Sequence, residues 1–459
     1  MIRKLKENSS LVKLYLLVIL VFSVFVTLIF NDSLWGDEAY TMLMLKQRFI
    51  DITSQTAADV HPPLYYYISK LFTLVFGYSV TAVKLASITP VVLISMFIIY
   101  KSKKLFKKDW ETISLLFILL IAFSPIAFSM NIELRMYTWS MFFVTCSGVF
   151  AYEIFLYEKN KKTITLFILA SLGAAYTHYY AALTECFVYL FLYISLLLKN
   201  KNNIKICFKL SIITIIGYIP WLPIFIKQST TVKDGWWLQD FSIDNMLDFI
   251  KYIFNGEFTH LFIFLFSLII VCIISYTKNN IEDKEILFSL SCIFSFLFTV
   301  ILGCILSKLV RPLFINRYMY PGVGLLFLGI VIGLTKLDYS KLLREGIIAL
   351  IVINFPFSYA VTYSQEYKNG TDKFKEFVHE NINEQDTIYT DMSHMGWTIL
   401  PYYCYNNIID TNITSDIKGY YITTKEYDDI ISEYPTKNIE YVYSGDIDNS
   451  QYFNIYLFK

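Results

Sequence analysis

About eleven apolar segments, spread from residue 12 to residue 362, constrain the fold of this chain more than any other feature of its sequence. A helix of about 20 apolar residues crosses the hydrocarbon core of a bilayer, and most of these segments approach that length. The series therefore predicts a chain that crosses a membrane repeatedly. The segments lie near residues 12–30, 82–100, 112–130, 137–156, 163–177, 180–198, 210–226, 259–276, 286–306, 320–335 and 346–362.

Composition supports an all-α polytopic membrane bundle. Hydrophobic residues make up 56% of the chain and charged residues only 17%, so lipid rather than water surrounds most of it. Aromatic residues, at 18%, suit the two membrane interfaces and an apolar groove between helices. The formal net charge of +1 gives no reason to expect a nucleic acid as a partner.

Basic residues predict the orientation of the bundle. They concentrate at residues 3–6, 101–108, 158–162 and 199–205, whereas the alternating connections contain few of them. Because basic connections stay in the cytoplasm, the N-terminus is predicted to be cytoplasmic. The segments then predicted to lie outside are 31–81, 131–136, 177–180, 227–258, 307–319 and the C-terminal tail.

The composition changes near Tyr363, after which the chain becomes polar. We expect a transmembrane domain at residues 1–362, with its first external loop at 31–81, and a soluble extracytoplasmic α/β domain at residues 363–459. Phe374, Phe377 and Val378 share one face of a predicted helix at 372–380. Strands are predicted at 386–390, 419–424 and 452–458.

Two adjacent carboxylates, Asp37 and Glu38, follow the first apolar segment. Acidic residues beside a membrane helix are often only solvated charges, but a carboxylate at headgroup depth can also deprotonate a nucleophile. His61, which precedes Pro62 and Pro63 in the same loop, is either structural or a ligand-positioning group. Asp37, Glu38 and His61 can hold a divalent metal ion, but no spacing demands one, and no cofactor is predicted.

Further polar residues fall in the other short external turns. Glu133 and Arg135 form either a structural ion pair or two functional groups, and their i,i+2 spacing in a turn favours side chains that point apart. His178 lies in the next external turn. Tyr66 belongs to an aromatic run that is more typical of a membrane interface than of a binding site.

The last external loop contains two arginines, Arg311 and Arg317. Arg317 is either a residue whose long side chain reaches the interface or a bidentate ligand for a phosphate at headgroup level. Carboxylates, histidines and arginines on one outer face can activate an acceptor and stabilise a departing phosphate, beside a groove for a lipid tail. Sugar transfer from a polyprenyl phosphate fits this combination.

Over about residues 10–335, the order and spacing of these motifs resemble those of a known family. The family is the integral-membrane glycosyltransferases of the protein mannosyltransferase and aminoarabinose transferase superfamily. These enzymes share the GT-C fold. The matching motifs are Trp35-Gly-Asp-Glu-Ala-Tyr-Thr41, His61-Pro-Pro-Leu-Tyr-Tyr66, Glu133-Leu-Arg-Met-Tyr137, His178-Tyr-Tyr180 and Arg317-Tyr318.

The resemblance implies an inverting transfer of a sugar from a polyprenyl-phosphate donor to a lipid, glycan or protein acceptor. It places this reaction on the extracytoplasmic face of a bacterial-type cell membrane, with Asp37 as catalytic acid or base. The predicted site residues are Asp37, Glu38 and Glu133 for catalysis, Arg135, Arg317 and Arg311 for the donor phosphate, and His61, His178, Tyr66, Tyr137 and Tyr318 for positioning the substrate or a metal ion.

Two other functions also fit a polytopic membrane protein. A transporter or flippase of lipid-linked or anionic substrates would place ionisable groups inside its spans near the midplane, whereas these lie at span ends. An O-acyltransferase of cell-envelope sugars would need a positioned histidine base but would leave Asp37 and Arg317 without a role. The sequence favours the glycosyltransferase.

Overall fold

A computed structural model describes residues 2–157, 160–231, 283–309, 313–337, 340–404, 408–410, 418–447 and 451–459. The α-helices in these ranges are α1 (Ile2–Val26), α2 (Gly36–Lys46), α3 (Phe49–Ala58), α4 (Leu64–Phe76), α5 (Val80–Leu105), α6 (Trp110–Phe123), α7 (Pro125–Ile132), α8 (Tyr137–Tyr157), α9 (Lys161–Thr177), α10 (Tyr179–Lys199), α11 (Ile204–Tyr218), α12 (Leu222–Thr231), α13 (Lys284–Leu309), α14 (Val323–Leu334), α15 (Ser340–Tyr367), α16 (Thr371–Asn381), α17 (Ser393–Trp397), α18 (Ile399–Tyr403) and α19 (Tyr427–Glu433). Short 3-10 helices occupy Lys201–Asn203 and Asn316–Gly322.

Many of these helices are long and apolar enough to cross a membrane. Within the described ranges, seven qualify singly, and two bent pairs, α6 with α7 and α11 with α12, raise the number to nine. The prediction of a polytopic helical bundle is confirmed. The number of eleven spans stays a prediction, because the segment at 259–276 and most of the loop at 227–258 lie outside the described residues.

A sharp bend between α6 and α7 positions one of the predicted site turns. The two helix axes meet at 67°, where Ser124 is extended and Pro125 occupies the first turn of α7. Proline disfavours helical geometry in the preceding residue but suits the first turn of a new helix. Helix α7 ends at Ile132, and the turn that follows, residues 133–136, is buried.

Helix α14 lies at the centre of the bundle. All its residues are buried, and it packs against α6, α8 and α13. A helix that is apolar on every side is stable only when other helices surround it, as here.

The C-terminal region contains a mixed five-stranded sheet with the strand order β2-β1-β3-β5-β4. Its strands are β1 (Ile388–Thr390), β2 (Ile408–Asp410), β3 (Gly419–Thr423), β4 (Ile439–Ile447) and β5 (Gln451–Phe458). Strand β1 is parallel to β2 and β3, whereas β5 is antiparallel to β3 and β4. The predicted helix at 372–380 and the three predicted strands are confirmed, while β2 and β4 were not predicted.

Alternating side chains cover both faces of this sheet. Phe453 of β5 packs edge to face against Phe374 of α16, with 5.3 Å between ring centroids. On the opposite face, Tyr421 and Tyr456 cluster with Ile430 of α19. The period of two along each strand thus gives the sheet two apolar faces, each covered by a helix.

The region that contains the C-terminal sheet packs directly on the loop at 31–81. Helices α17 and α18 pack against α2. The Tyr403 hydroxyl donates a hydrogen bond to the Asp32 carbonyl at 2.6 Å, and the Lys375 ammonium lies 2.8 Å from the Asp32 carboxylate. The loop is therefore held between the long apolar helices and the region of the sheet.

Candidate functional site

Asp37 lies in the first turn of α2, where its carboxylate is close to charged side chains from distant segments of the chain. Arg317 donates a hydrogen bond to its Oδ2 at 2.9 Å, and an Arg135 Nη2 lies 3.8 Å from the same oxygen. Burial acts to raise the pKa of Asp37, but the charge of Arg135, the neighbouring His394 and the charge of Arg317 lower it well below its usual value. Asp37 is therefore an anion at any physiological pH.

Glu38 has a different environment from its neighbour. Its Oε1 accepts a hydrogen bond from the Leu134 backbone N–H at 2.9 Å, and its Oε2 accepts one from the Trp35 N–H at 3.3 Å. Successive residues in a helix point about 100° apart, so Glu38 faces the protein while Asp37 faces the arginines. Burial raises the pKa of Glu38 well above its usual value. In this geometry Glu38 holds the start of α2 against the turn that carries Arg135.

The turn before α8 places Arg135 inside the bundle. The Glu133 carbonyl accepts hydrogen bonds from the Ser87 hydroxyl at 2.8 Å and from the Arg135 N–H at 2.7 Å. These bonds fix the turn, and only 4% of Arg135 is exposed. The Arg135 Nη1 also donates to the Asp37 carbonyl at 3.3 Å.

Histidine and tyrosine rings form a wall beside these charges. His61 stacks on His178 with 5.7 Å between centroids, and Tyr318 and Tyr137 lie 5.0 and 5.8 Å from His178. The His178 Nδ1 accepts a hydrogen bond from the Tyr180 N–H, which places the proton of the neutral ring on Nε2.

Both buried histidines are neutral at neutral pH. Burial, followed by the charges of Arg135 and Arg317, lowers the pKa of His178 to about 3. Burial, Arg135 and His178 lower the pKa of His61 well below its usual value. These rings can therefore donate or accept hydrogen bonds but do not add positive charge to the site.

Several hydrogen-bond donors at this site are buried without a partner. Among the residues that the structure describes, these atoms are Arg135 Nε, Arg317 Nε, Tyr66 Oη, Tyr137 Oη and His178 Nε2. An unsatisfied buried donor costs about 1–3 kcal/mol, more when it is charged, so a group of them calls for a ligand. Two guanidinium groups within such a set match an anion such as a phosphate.

Two cavities are lined by residues of this site. One has a volume of about 420 Å³ and polar lining side chains that include Glu133 and Arg317. The other has a volume of about 320 Å³, and its lining is mainly apolar and aromatic around His61, His178 and Tyr318. Because Arg317 and Tyr318 are adjacent in the chain, the polar and apolar spaces lie side by side.

The structure brings together most residues that the sequence singled out. Asp37, Arg135, Arg317, His61, His178, Tyr137 and Tyr318 form one contiguous group, Glu133 lines the adjoining polar cavity, and Tyr66 is fully buried nearby. Arg311 lies outside the described residues. Across the described ranges, no group of three or more His, Cys, Asp or Glu side chains is arranged to hold a metal ion.

The sequence analysis missed two residues of the site. The Trp35 ring lies under the Arg317 guanidinium at 4.7 Å, a cation–π contact that holds the arginine in place. Trp35 could have been identified from the sequence, because it belongs to the same Trp-Gly-Asp-Glu motif as Asp37. His394, from α17 near the C-terminal sheet, lies with Nε2 3.8 Å from the Asp37 Oδ1. Its surrounding sequence contains no motif that points to this contact.

Comparison with known proteins gives matches to one family and to solved structures. Residues 60–224 match the family of dolichyl-phosphate-mannose-protein mannosyltransferases. No curated protein matches the chain in sequence.

The fold is similar to that of ArnT from Cupriavidus metallidurans. For its apo crystal structure the TM-score is 0.59, with 11% identity over 98% of both chains. For the same protein bound to undecaprenyl phosphate it is 0.61, with 11% identity over 96% of this chain and 97% of that one. A further similar structure is that of the archaeal oligosaccharyltransferase AglB from Archaeoglobus fulgidus in complex with an inhibitory peptide and a dolichol-phosphate. Its TM-score is 0.52, with 10% identity over 91% of this chain and 70% of that one. The chain therefore has the GT-C fold, and the resemblance seen in the motifs is confirmed.

Proposed function

We propose that this protein is a membrane glycosyltransferase that moves a sugar from a polyprenyl-phosphate donor to an acceptor. The observation that carries the proposal is the pair of guanidinium groups of the buried Arg135 and the half-buried Arg317, each with a buried Nε that has no partner among the described residues, where Arg317 lines the polar cavity and the adjacent Tyr318 lines the apolar one. A polyprenyl-phosphate sugar has the same order of parts: a polar sugar, an anionic phosphate and an apolar chain. The solved structures of similar fold include complexes with undecaprenyl phosphate and dolichol-phosphate, which supports this class of donor.

The arginines have the chemistry that the leaving group requires. As the bond between the sugar and the phosphate breaks, negative charge grows on the phosphate oxygens. Guanidinium groups already fixed in position stabilise this charge more than water does, because they need no reorganisation as it develops. Trp35 and the turn at Glu133 hold the two arginines in place before the substrate arrives.

Asp37 activates the acceptor in this proposal. Its carboxylate can orient a hydroxyl or amine for attack on the anomeric carbon, on the side opposite the departing phosphate. A single displacement of this kind inverts the anomeric centre. The acceptor is a cell-envelope lipid, glycan or protein that enters from the side of the C-terminal domain.

The test is transfer of radiolabelled sugar from a panel of polyprenyl-phosphate sugars in membranes that contain the protein. We expect at least one donor to be used, and Asp37→Asn to reduce transfer by about a hundredfold or more. If no donor is used while the protein moves lipid-linked sugar across vesicle membranes, the protein is a transporter and the proposal is wrong.

We also propose the orientation and division of the chain: eleven spans, a cytoplasmic N-terminus, a transmembrane domain at 1–362 and an extracytoplasmic domain at 363–459. Two exposed positions offer a matched test, Lys107 between α5 and α6 and Ser432 in α19. A membrane-impermeant thiol reagent applied to intact cells should label Ser432→Cys and spare Lys107→Cys, with the parent as background. Equal labelling of both would contradict this orientation.

A further inference from the structure

An exposed tryptophan lies close to the carboxylate of Asp37. Trp397, at the end of α17, is 57% exposed, whereas Met395 on the same helix is fully buried. The indole meets the ring of His394 edge to face, with 5.7 Å between centroids, and the His394 Nε2 lies 3.8 Å from the Asp37 Oδ1. One imidazole thus separates the indole from the carboxylate.

Rings from two helices hold this indole in one orientation. Tyr40 of α2 contacts it with 6.3 Å between centroids and an angle of 78° between the ring planes, and His394 contacts it at an angle of 76°. Edge-to-face contacts of this kind fix the plane of a ring. A ring that is already fixed loses little conformational freedom when a ligand stacks on it.

Helix α2 aligns the supporting ring with Asp37. Residues three apart lie on the same side of a helix, so Asp37 and Tyr40 both face α17. Gly36 permits the close approach of that helix, since a Cβ at position 36 would lie 1.8 Å from the His394 Cε1. The indole of Trp397 therefore has a defined place beside the carboxylate that we assign to the acceptor.

The acceptor has to reach Asp37 from the side of this indole. Arg135 and Arg317 lie at the Oδ2 of Asp37, on the side that we assign to the donor phosphate, whereas Oδ1 faces α17. The side chain of His394 is 49% exposed, so this second side is open to solvent. An acceptor that arrives from solvent consequently passes over Trp397.

A pyranose ring matches this combination of groups. One side of such a ring consists largely of C–H groups, whose partial positive charge is attracted to the negative face of an aromatic ring. Its hydroxyl groups lie at the edge, where one of them can reach Asp37. A peptide is bound mainly through its backbone, along a strand edge or in a groove, whereas a single indole bordered by polar groups has the size of one sugar ring.

The charge of the C-terminal region indicates that this saccharide is not anionic. Residues 363–459 contain sixteen Asp and Glu but only seven Lys and no Arg. The potential around such an excess of acidic groups repels anions from the surface near them. In the proposed function the anionic donor lies instead at the arginines, so the two substrates approach Asp37 through regions of opposite charge.

We propose that Trp397 forms the acceptor subsite and that the acceptor is an uncharged saccharide, an inference that rests on the proposed glycosyl transfer. The indole stacks on one pyranose ring, and a hydroxyl of the same saccharide points at Asp37. The oxygen of this hydroxyl forms the new bond to the anomeric carbon of the donor sugar, and its proton passes to the Asp37 carboxylate and then to water. The bond from that carbon to the phosphate oxygen breaks, and its electron pair leaves with the polyprenyl phosphate.

The experiment uses simple sugars as acceptors of the full-length protein, with the polyprenyl-phosphate sugar that the panel identifies. The probes are the methyl glycosides of glucose, galactose and mannose and the methyl glycosides of the matching uronic acids. Each is tested as an acceptor and as a competitor of transfer to the acceptor in the membranes. We expect at least one neutral glycoside to act in one of these ways, and its uronic acid to act about tenfold more weakly or less.

Variants at position 397 test the stacking contact. Trp397→Ala should raise the KM or inhibition constant of the neutral glycoside about tenfold, with kcat and donor affinity within about twofold of the parent. Trp397→Phe retains an aromatic face and should recover part of this loss. The matched control is Tyr452→Ala, which removes an aromatic side chain that is 59% exposed on β5 and should leave the constant unchanged. The melting temperature is recorded for every variant.

A parental constant for the neutral glycoside in folded Trp397→Ala protein would overturn the proposal and leave the glycosyltransferase function intact. Failure of every neutral glycoside to accept or compete, a preference for the uronic acids, or use of a peptide or a diacylglycerol instead would also overturn it. A loss of donor affinity without a change in the glycoside constant would do the same, because Trp397 would then support the donor site. A parent that uses no donor would overturn the glycosyltransferase function and, with it, this subsite.

Discussion

Positively charged side chains lie at both ends of the helical bundle, but their hydrogen-bond partners differ. At the end away from the site, Lys101 and Lys104 of α5 both donate to the carboxylate of Glu153, which is 1% exposed. At the site end, Arg135 and Arg317 share Asp37, and each retains an Nε without a partner among the described residues.

The difference separates a structural cluster from a binding site. In the Glu153 cluster both carboxylate oxygens are bonded, so the charges connect α5 to α8. Within the described part of the chain, the arginine cluster leaves charged donors unsatisfied, an arrangement that lowers stability unless a ligand completes it. Substitutions at the first cluster should therefore affect stability, and those at the second should affect substrate use.

The largest effect is expected from Glu153→Gln. Loss of this carboxylate leaves Lys101, only 9% exposed on its side chain, without its counter-charge, and breaking a buried pair costs about 3–5 kcal/mol. The melting temperature in detergent should fall strongly, whereas the transfer rate per folded molecule should stay near that of the parent. If the melting temperature of Glu153→Gln is unchanged, the Glu153 cluster is not the structural element that this comparison makes it.

Arg135→Gln should act on the donor. Charge-assisted hydrogen bonds contribute about 1.5–3 kcal/mol, so loss of this guanidinium should weaken binding of a polyprenyl phosphate by roughly 10- to 150-fold. Binding is measured with a labelled lipid phosphate, and thermal melting is recorded on the same sample. If melting falls as far as in Glu153→Gln while affinity is retained, Arg135 is a structural residue.

Arg317→Lys should have a smaller effect in the same direction. Lysine keeps the charge but loses the fork of donors and the flat contact with Trp35. A loss of about 1.4 kcal/mol corresponds to a tenfold weaker donor affinity. Turnover and affinity equal to the parental values would make Arg317 only an interface anchor.

The smallest effect is expected from Glu38→Gln and depends on pH. Burial raises the pKa of Glu38 above its ordinary value of 4.5, so the folded protein keeps this proton where the unfolded chain has lost it. Unfolding then releases a proton, and stability falls as pH rises above about 4.5 toward the raised pKa. Because glutamine does not titrate, melting curves of Glu38→Gln should depend less on pH in this range. If the melting temperature changes equally with pH in both proteins, the raised pKa of Glu38 is contradicted.

The bundle and much of the site were predictable from the sequence because both depend on local signals. Long apolar segments predict the helices, and polar residues in the connections between them must lie at one face or the other. Asp37, His61, Arg135, His178 and Arg317 were each found in this way, and the structure places them together.

Other features depend on contacts that no local pattern encodes. Asp37 and Glu38 are chemically similar neighbours, and only the turn of α2 decides which one meets the arginines and which one meets backbone N–H groups. Strand β2, with the sequence Ile408-Ile409-Asp410, shows no alternation of apolar and polar residues. His394 lies far along the chain from Asp37, and its position beside that carboxylate depends on the packing of α17 against α2.

The most direct test of the central claim measures donor affinity and turnover together in Asp37→Asn. Asp37 places a negative charge beside the arginines that we assign to the donor phosphate, so its neutralisation should leave donor affinity equal to or tighter than that of the parent. Turnover should fall about a hundredfold, because the carboxylate that organises the attack is lost. Parental turnover in a stable Asp37→Asn protein, or a loss of donor affinity that matches the loss of turnover, would contradict the account.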